Sequence, residues 1–237
     1  MSFLILVRHG QSIWNLEKKF TGWVDIDLTE QGKLEAHKAG SLIKDKNIKI
    51  NHLYSSLQLR ANNTLKIIQK VLNNEQNFIQ AWQLNERHYG ALTGLNKIEM
   101  GKKIGEEKVL KFRRAWDVKP DPLNKESPYH PINIQTYKNL PREIIPDTES
   151  LKDTYERVLK YFKDEIQKKL INDNVLISAH GNSIRALCKY LLKLDNNQIS
   201  SLEVPTGNPL IIEFDKELNI SKCEYLDKKR STNLLVF

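Results

Sequence analysis

Two histidines occur in matching sequence settings, which suggests that they share one site. Each follows an apolar run that fits a buried strand and precedes a glycine, in Leu-Val-Arg-His-Gly ending at Gly10 and Ile-Ser-Ala-His-Gly ending at Gly181. In an open α/β sheet, ligands bind at the carboxyl ends of the strands, and glycine lets the backbone approach an anion closely. A single histidine at a strand end is more often a structural group. Two in matching positions favour a common site containing His9 and His180.

The chemistry that suits such a pair is phosphoryl transfer through a histidine. A neutral imidazole is a competent nucleophile near neutral pH, and this reaction needs no metal. The transferred group carries negative charge on its equatorial oxygens, which planar guanidinium groups bind in a fixed orientation. Arg8 adjoins the first histidine, and Arg60 lies at a predicted helix start just after a strand end. In a dry site each such donor contributes on the order of 10²-fold or more in rate.

Apolar runs alternate with amphipathic segments along the chain. This pattern is typical of the α/β class, with a largely parallel sheet covered by helices on both faces, and we expect a three-layer sandwich. Helices are predicted to begin near Thr29, which is a good N-cap, near Arg60, near Ser150 and after Gly181. The predicted strands are residues 3–7, 52–54, 78–80, 175–178 and 210–214.

The segment from about residue 97 to 149 differs from the rest of the chain. It holds six of the eight prolines, much charge and little periodicity beyond two short helical stretches. Excursions of this length are usually functional, and we expect it to form a lid. The whole chain, residues 1–237, is expected to form a single domain. Its tail, from about residue 226, ends in an apolar Leu-Leu-Val-Phe string, which either docks on the body or a partner or is frayed.

Composition narrows the partners and the compartment. The net charge of +8 would suit nucleic acid or small anions. However, the lysines are scattered among acidic residues without an aromatic-interleaved basic stripe, so no nucleic-acid partner is expected. No apolar run is long enough for a membrane span, and residues 3–7 are too short for a signal peptide. Cys188 and Cys223 need no disulfide in a domain of this size, so we expect a reduced, cytoplasmic protein.

Further strings connect these residues to a known family. Leu-Val-Arg-His-Gly at residues 6–10 resembles the signature of the histidine phosphatase superfamily. The string Leu-Asn-Glu-Arg-His-Tyr-Gly-Ala-Leu at residues 84–92 is far more specific and resembles the phosphoglycerate mutase branch that depends on 2,3-bisphosphoglycerate. The resemblance extends over nearly the whole chain and continues in residues 14–15, 20–23, 25–29, 57–61, 94–97, 179–187 and 205–207.

The resemblance implies an activity and a set of catalytic roles. The expected reaction interconverts 3-phosphoglycerate and 2-phosphoglycerate through a phosphohistidine at His9, primed by 2,3-bisphosphoglycerate and without a metal. His180 would stabilise the transferring group, Arg8 and Arg60 would hold its oxygens, and Glu86 would be the general acid and base. The family's habit implies a homo-oligomer, either a dimer or a tetramer.

The resemblance also implies a binding pocket for the phosphate and carboxylate of the substrate. Gln11 departs from the family pattern, which usually has glutamate after Arg-His-Gly, so a modest change in local charge or hydrogen bonding is expected. The lid sequence from Asp117 to Glu143 follows the family only loosely. The residues expected to bind substrate are Arg8, Gly10, Gln11, Ser12, Asn15, Thr21, Gly22, Arg60, Glu86, Arg87, His88, Tyr89, Lys97, Arg113, Arg114, Gly181 and Asn182.

Two alternatives have to be separated from a mutase. A histidine phosphatase, or an enzyme directed at bisphosphoglycerate, would use the same nucleophile with water as the final acceptor. A mutase must exclude water until the acceptor hydroxyl arrives. The long lid with Lys97, Arg113 and Arg114 therefore favours a mutase over a phosphatase. A non-enzymatic protein that binds anionic partners is the second alternative. The presence of both histidines together with Glu86 argues against it.

Overall fold

A computed structural model describes residues 1–231 of the chain, and its centre is a six-stranded sheet with the order β3-β2-β4-β1-β5-β6. The first four strands in that order are parallel, whereas β5 runs antiparallel to both of its neighbours. The strands are β1 (Ser2–Arg8), β2 (His52–Ser55), β3 (Ile79–Gln80), β4 (Val175–Ala179), β5 (Leu210–Phe214) and β6 (Ile220–Tyr225). The predicted α/β sandwich with a mostly parallel sheet is confirmed.

Helices cover both faces of this sheet, and all four predicted helix starts are present. The hydroxyl of Thr29 accepts the backbone N–H of Gly32 at 3.0 Å, and Ser150 caps its helix in a reciprocal pair with Asp153. Such caps satisfy N–H groups that have no partner within the helix. The α-helices are α1 (Ile13–Leu16), α2 (Glu30–Lys44), α3 (Leu59–Leu72), α4 (Lys97–Ile104), α5 (Glu106–Arg114), α6 (Leu151–Tyr161), α7 (Gly181–Leu191) and α8 (Asn196–Ser201).

The core lies in two layers because successive side chains of a strand point to opposite faces. On β1, Leu4 and Leu6 belong to the layer that contains α6 and α7, while Ile5 and Val7 belong to the layer that contains α2 and α3. All four side chains are at most 1% exposed. This two-sided burial is why β1 appears in the sequence as a continuous apolar run.

The strand β6 was not predicted from the sequence. It pairs only with β5 and lies at the edge of the sheet. Its first half is largely exposed and contains Lys222, whereas Cys223, Glu224 and Tyr225 are buried. An edge strand with this composition gives no apolar run, so only its pairing with β5 identifies it.

The segment from residue 97 to 149 contributes no strand to the sheet and begins with α4 and α5. Three short 3₁₀-helical turns follow, at Pro131–Asn133, Gln135–Tyr137 and Arg142–Ile144. The phenol of Tyr137 donates to the carbonyl of Trp23, which fixes the segment to the body. The end of the predicted apolar tail, residues 232–237, lies outside the described residues.

Two kinds of feature are absent from the part of the chain that the structure describes. Among residues 1–231, no helix is both long and apolar enough to cross a membrane. The same residues contain no group of three or more histidine, cysteine, aspartate or glutamate side chains placed to hold a metal ion.

Candidate active site

The pairing of β1 with β4 brings the two strand-end histidines together. Arg8 is in register with Ala179, and the backbone N–H of His9 donates to the carbonyl of Ala179 at 3.0 Å. The imidazole rings of His9 and His180 have centroids 5.0 Å apart and are inclined by 59°. Both side chains are almost fully buried. The structure therefore places both histidines side by side at one edge of the sheet.

The partners of His9 assign its tautomer. Nδ1 lies 2.7 Å from the carbonyl oxygen of Gly10, which can only accept, so Nδ1 carries the proton. Nε2 accepts from Nε of Arg60 at 3.3 Å and therefore presents its lone pair. Burial lowers the pKa of His9 well below its usual value, and the charges of Arg60 and Arg8 lower it further. His9 is thus a neutral imidazole with Nε2 available as a nucleophile.

His180 is oriented by a different partner. Its Nε2 lies 2.8 Å from the hydroxyl of Ser56, and that hydroxyl accepts the backbone N–H of Gln58. When Ser56 donates its proton to Nε2, Nδ1 of His180 becomes the protonated nitrogen, and Nδ1 is buried without a hydrogen-bond partner among the described residues. Burial, Arg60 and His9 lower the pKa of His180 well below its usual value. Both histidines are therefore neutral at pH 7.

The two predicted arginines are held rigidly beside His9. Arg60 is 1% exposed, and its two terminal nitrogens donate to the carbonyls of Val24 and Gly22, each at 2.9 Å. Arg8 donates to the carbonyl of Val204 at 2.7 Å, while its Nε is buried and makes no hydrogen bond to a described residue. These guanidinium groups place fixed positive charge around the nucleophile.

Glu86 lies in the same site on an irregular segment. One carboxylate oxygen, Oε1, accepts the backbone N–H of Arg87 at 2.8 Å and that of Asn182 at 3.1 Å. The other oxygen, Oε2, makes no hydrogen bond within residues 1–231. The backbone N–H of Glu86 donates to the side chain of Gln58 at 2.9 Å. The carboxylate is thus oriented through one oxygen, while the other makes no hydrogen bond to a described residue.

His9, Arg8, Arg60 and Glu86 face a cavity of about 330 Å³, whereas the buried His180 packs behind its wall, against the ring of His9. Its wall is strongly basic and includes side chains from β1, α3, α4, α5 and α7. The predicted residues that line it are Arg8, His9, Asn15, Thr21, Gly22, Arg60, Glu86, Tyr89, Lys97, Arg113, Arg114, Gly181 and Asn182. The lining residues that sequence reasoning missed are Arg185, Glu203, Val204 and Pro205.

Three predicted binding residues support the turn after β1 instead of lining the cavity. The backbone N–H of Gly10 donates to the hydroxyl of Thr64 at 3.1 Å. The side chain of Gln11 accepts from the hydroxyl of Thr29 at 3.0 Å. Ser12 caps α1 by accepting the backbone N–H of Asn15. This turn determines where His9 projects, so these residues contribute to the site through the backbone.

Arg87 and His88 also lie outside the cavity wall, and they differ from each other. Arg87 is fully buried with its guanidinium over the ring of Tyr89, and two of its nitrogens have no partner among the described residues. Nδ1 of His88 accepts the backbone N–H of Gly90, and burial lowers the pKa of His88 to about 3. Arg87 therefore adds buried positive charge next to the site, whereas His88 is a neutral group that holds a turn.

Arg185 is the most informative of the missed residues. It is 3% exposed, donates to the side-chain oxygen of Asn182 at 2.9 Å and reaches the carbonyl of Arg114 at 3.2 Å. It thus ties α7 to the end of α5. Its position one helical turn after Asn182 was visible in the sequence, because residues three apart on a helix share a face.

Comparisons with known proteins agree with this geometry. The family model "Histidine phosphatase superfamily (branch 1)" matches residues 4–133 and 125–223. A protein of Pelagibacter ubique (strain HTCC1062), named 2,3-bisphosphoglycerate-dependent phosphoglycerate mutase, is 67% identical over the full length of both chains. A protein of the same name from Hydrogenobaculum sp. (strain Y04AAS1) is 49% identical, covering 95% of this chain and 92% of the other.

A comparison with solved structures adds support for the fold. Bacillus stearothermophilus YhfR superposes with a TM-score of 0.69 at 21% identity, covering 98% of this chain and 99% of the other. At that identity the similarity shows only that the two proteins share a fold. The family is shown by the two relatives that are 67% and 49% identical. The chain therefore belongs to the 2,3-bisphosphoglycerate-dependent phosphoglycerate mutases, within branch 1 of the histidine phosphatase superfamily.

Proposed function

We propose that the protein interconverts 3-phosphoglycerate and 2-phosphoglycerate through a phosphohistidine at His9. The observation that carries this proposal is a neutral, buried His9 whose Nε2 lone pair lies beside Arg60 and His180 in a basic cavity. It stands in a chain that is 67% identical, end to end, to a 2,3-bisphosphoglycerate-dependent phosphoglycerate mutase.

In the proposed reaction Nε2 of His9 forms a bond to phosphorus while the bond from phosphorus to the substrate oxygen breaks. Oε2 of Glu86 gives a proton to that leaving oxygen and takes one from the acceptor hydroxyl in the return step. Bound 2,3-bisphosphoglycerate supplies the phosphoryl group that primes His9. The hydrogen bond from Nδ1 of His9 to Gly10 persists and stabilises positive charge on the ring as the bond to phosphorus forms.

The charge that develops on the transferring group needs donors that are already in place. Nε of Arg8 is buried and unpartnered among the described residues, and Arg60 points its Nε at the nucleophile. Nδ1 of His180 is a third such group. Donors held in advance stabilise the transition state without reorganisation, and each contributes about 10²- to 10³-fold in rate.

The cavity suits a ligand with two phosphates and a carboxylate. Lys97, Arg113 and Arg114 line it from α4 and α5. Burial lowers the pKa of Lys97 from its usual value, and an anion beside it would offset that loss of hydration. These helices line the cavity and so limit the access of water to it, and limited access favours a mutase over a phosphatase with the same nucleophile.

The decisive experiment is an isomerase assay with the purified protein. Conversion of 3-phosphoglycerate to 2-phosphoglycerate is measured with and without trace 2,3-bisphosphoglycerate, while free phosphate is followed in parallel. We expect isomerisation that the bisphosphate stimulates, little phosphate release and no effect of EDTA. Phosphate release without isomerisation would make the protein a phosphatase, and loss of activity in EDTA that a divalent ion restores would contradict the metal-free mechanism.

We further propose that the protein is a cytoplasmic homo-oligomer, a dimer or a tetramer. Supporting the compartment, both Cys188 and Cys223 are buried free thiols, as is typical of reducing surroundings. Supporting self-association, the short edge strand β3 leaves Ile79 about half exposed, and an open strand edge can pair with another chain. Light scattering on the purified protein measures the mass directly, and a monomer at micromolar concentration would contradict the proposal.

A further inference from the structure

Glu86 lies on a segment that forms no strand and only one 3₁₀-helical turn, at Trp82–Leu84. A catalytic carboxylate on irregular backbone needs external support to keep its position. Here a guanidinium supplies much of this support, because Arg157 of α6 donates to three backbone carbonyls of this segment. Its terminal nitrogens bind the carbonyls of Gln83 at 2.6 Å, Asn85 at 3.0 Å and Glu86 itself at 3.0 Å.

The remaining donors of Arg157 bind Glu149. Nε of Arg157 donates to Oε1 at 2.7 Å, and one terminal nitrogen donates to Oε2 at 3.0 Å. Every N–H group of the guanidinium is therefore used. The pair is deeply buried, with the side chains of Arg157 and Glu149 exposed by 8% and 6%. A buried ion pair of this kind requires such complete hydrogen bonding to persist.

Glu149 also binds the segment on the far side of Glu86. Its Oε2 accepts the backbone N–H of His88 at 2.8 Å, and its own N–H donates to the carbonyl of His88 at 3.0 Å. The pair thus forms hydrogen bonds with the backbone both before and after Glu86. Glu149 directly precedes Ser150, the N-cap of α6, so the pair also joins the end of the lid segment to this backbone.

We propose that the Arg157–Glu149 pair positions Glu86 for proton transfer, an inference that rests on the proposed role of Glu86 in the mutase reaction. Neither residue lines the cavity, so both act through the backbone that carries the carboxylate. A displacement of about 1 Å in a reacting group can lower the rate by about 10²-fold. The pair is therefore a determinant of turnover and has little influence on substrate affinity.

The first test replaces Arg157 by lysine. R157K keeps the positive charge, but an ammonium on a single stem cannot reach three carbonyls and a carboxylate together. We expect kcat to fall by about 10- to 100-fold, with KM changed less than about threefold and an unchanged circular dichroism spectrum. The matched control is Lys160→Gln, on the same helix as Arg157, which removes an exposed ion pair with Asp164 just beyond the helix end and leaves kcat unchanged.

A double-mutant cycle separates positioning from general stability. If Arg157 acts through Glu86, R157K has little further effect on the residual rate of E86Q, because the group it positions is already absent. An equal loss in both backgrounds would overturn the inference, as would an undiminished kcat in R157K alone. If R157K does not fold, Glu149→Gln, which keeps the shape and removes one charge, is measured in the same cycle.

The cycle also distinguishes this inference from the proposed function. A Glu86→Gln variant with wild-type turnover would contradict the role of Glu86 and remove the basis of the inference. An inactive Glu86→Gln together with a fully active R157K would leave the proposed function standing and refute the positioning role alone.

Discussion

At the scale of single residues, the site depends on which nitrogen of each imidazole carries the proton. The carbonyl of Gly10 holds the proton of His9 on Nδ1, and Arg60 faces the lone pair on Nε2. Burial and the positive charges of Arg60 and Arg8 lower the pKa of His9 and keep it neutral, against the opposing effect of the hydrogen bond to Gly10, which raises it. A histidine with the opposite tautomer in the same cavity would turn an N–H toward the substrate and could not attack phosphorus.

His9→Ala is predicted to abolish turnover and phosphoenzyme formation while the protein stays folded. The imidazole of His9 is the nucleophile of the proposed mechanism, and alanine offers no atom that can attack phosphorus, so the rate should fall to background. Labelling with radioactive bisphosphoglycerate measures the acid-labile phosphohistidine, and circular dichroism measures the fold. The exposed His37 provides the control, since His37→Ala should label and turn over normally. Normal turnover in His9→Ala would refute the mechanism.

At the scale of elements, the turn after β1 must approach the first turn of α2 at backbone contact distance. A Cβ atom built on Gly10 would lie 2.1 Å from the carbonyl oxygen of Gly32, and one built on Gly32 would lie 2.0 Å from that of Gln11. These glycines are needed for close packing of backbone on backbone. Since Gly10 follows His9 directly, the same contact locates the nucleophile.

Gly10→Ala is therefore predicted to reduce both stability and turnover. The added methyl group must displace backbone, which we expect to lower the free energy of unfolding by about 1–3 kcal/mol. Urea unfolding and the isomerase assay measure the two effects. Gly101→Ala on α4 is the matched control, because the atom nearest to its Cβ would be a flexible side-chain carbon of Glu106 at 3.3 Å, and the nearest backbone atom would be 4.0 Å away. Equal stability of the two variants would contradict this account of the contact.

At the scale of the whole molecule, several histidines are buried in the neutral form. Burial is the main cause that lowers the pKa of His9, His88 and His180 from the usual 6.5, to about 3 for His88. Between these folded-state values and 6.5 the unfolded chain binds protons that the folded chain does not. Stability from these groups is therefore complete above about pH 6.5 and is lost as the pH falls.

We predict that the urea midpoint is lower at about pH 5 than at about pH 7.5. Each buried neutral histidine contributes a slope of up to about 1.4 kcal/mol per pH unit within this window. His88→Asn, which removes one such group away from the cavity wall, should make the dependence shallower. A midpoint that does not change between the two pH values would show that these histidines are not held neutral.

Much of the fold and part of the site could be predicted from the sequence by itself, because those features depend on local patterns. Continuous apolar runs identify strands buried on both faces, such as β1 and β4, and capping residues such as Thr29 and Ser150 mark helix starts. The equivalent positions of His9 and His180 at two strand ends predicted their meeting. These signals lie within a few residues of the groups that they describe.

The tertiary structure decided what depends on contacts between distant parts of the chain. The tautomer of His9 set by Arg60 and the binding of the Glu86 segment by Arg157 both join residues that no local pattern relates. Arg157 in particular looks in the sequence like any charged residue on an amphipathic helix. Its role follows only from burial, because a buried guanidinium must find an acceptor for every donor, and here those acceptors are the backbone that carries Glu86.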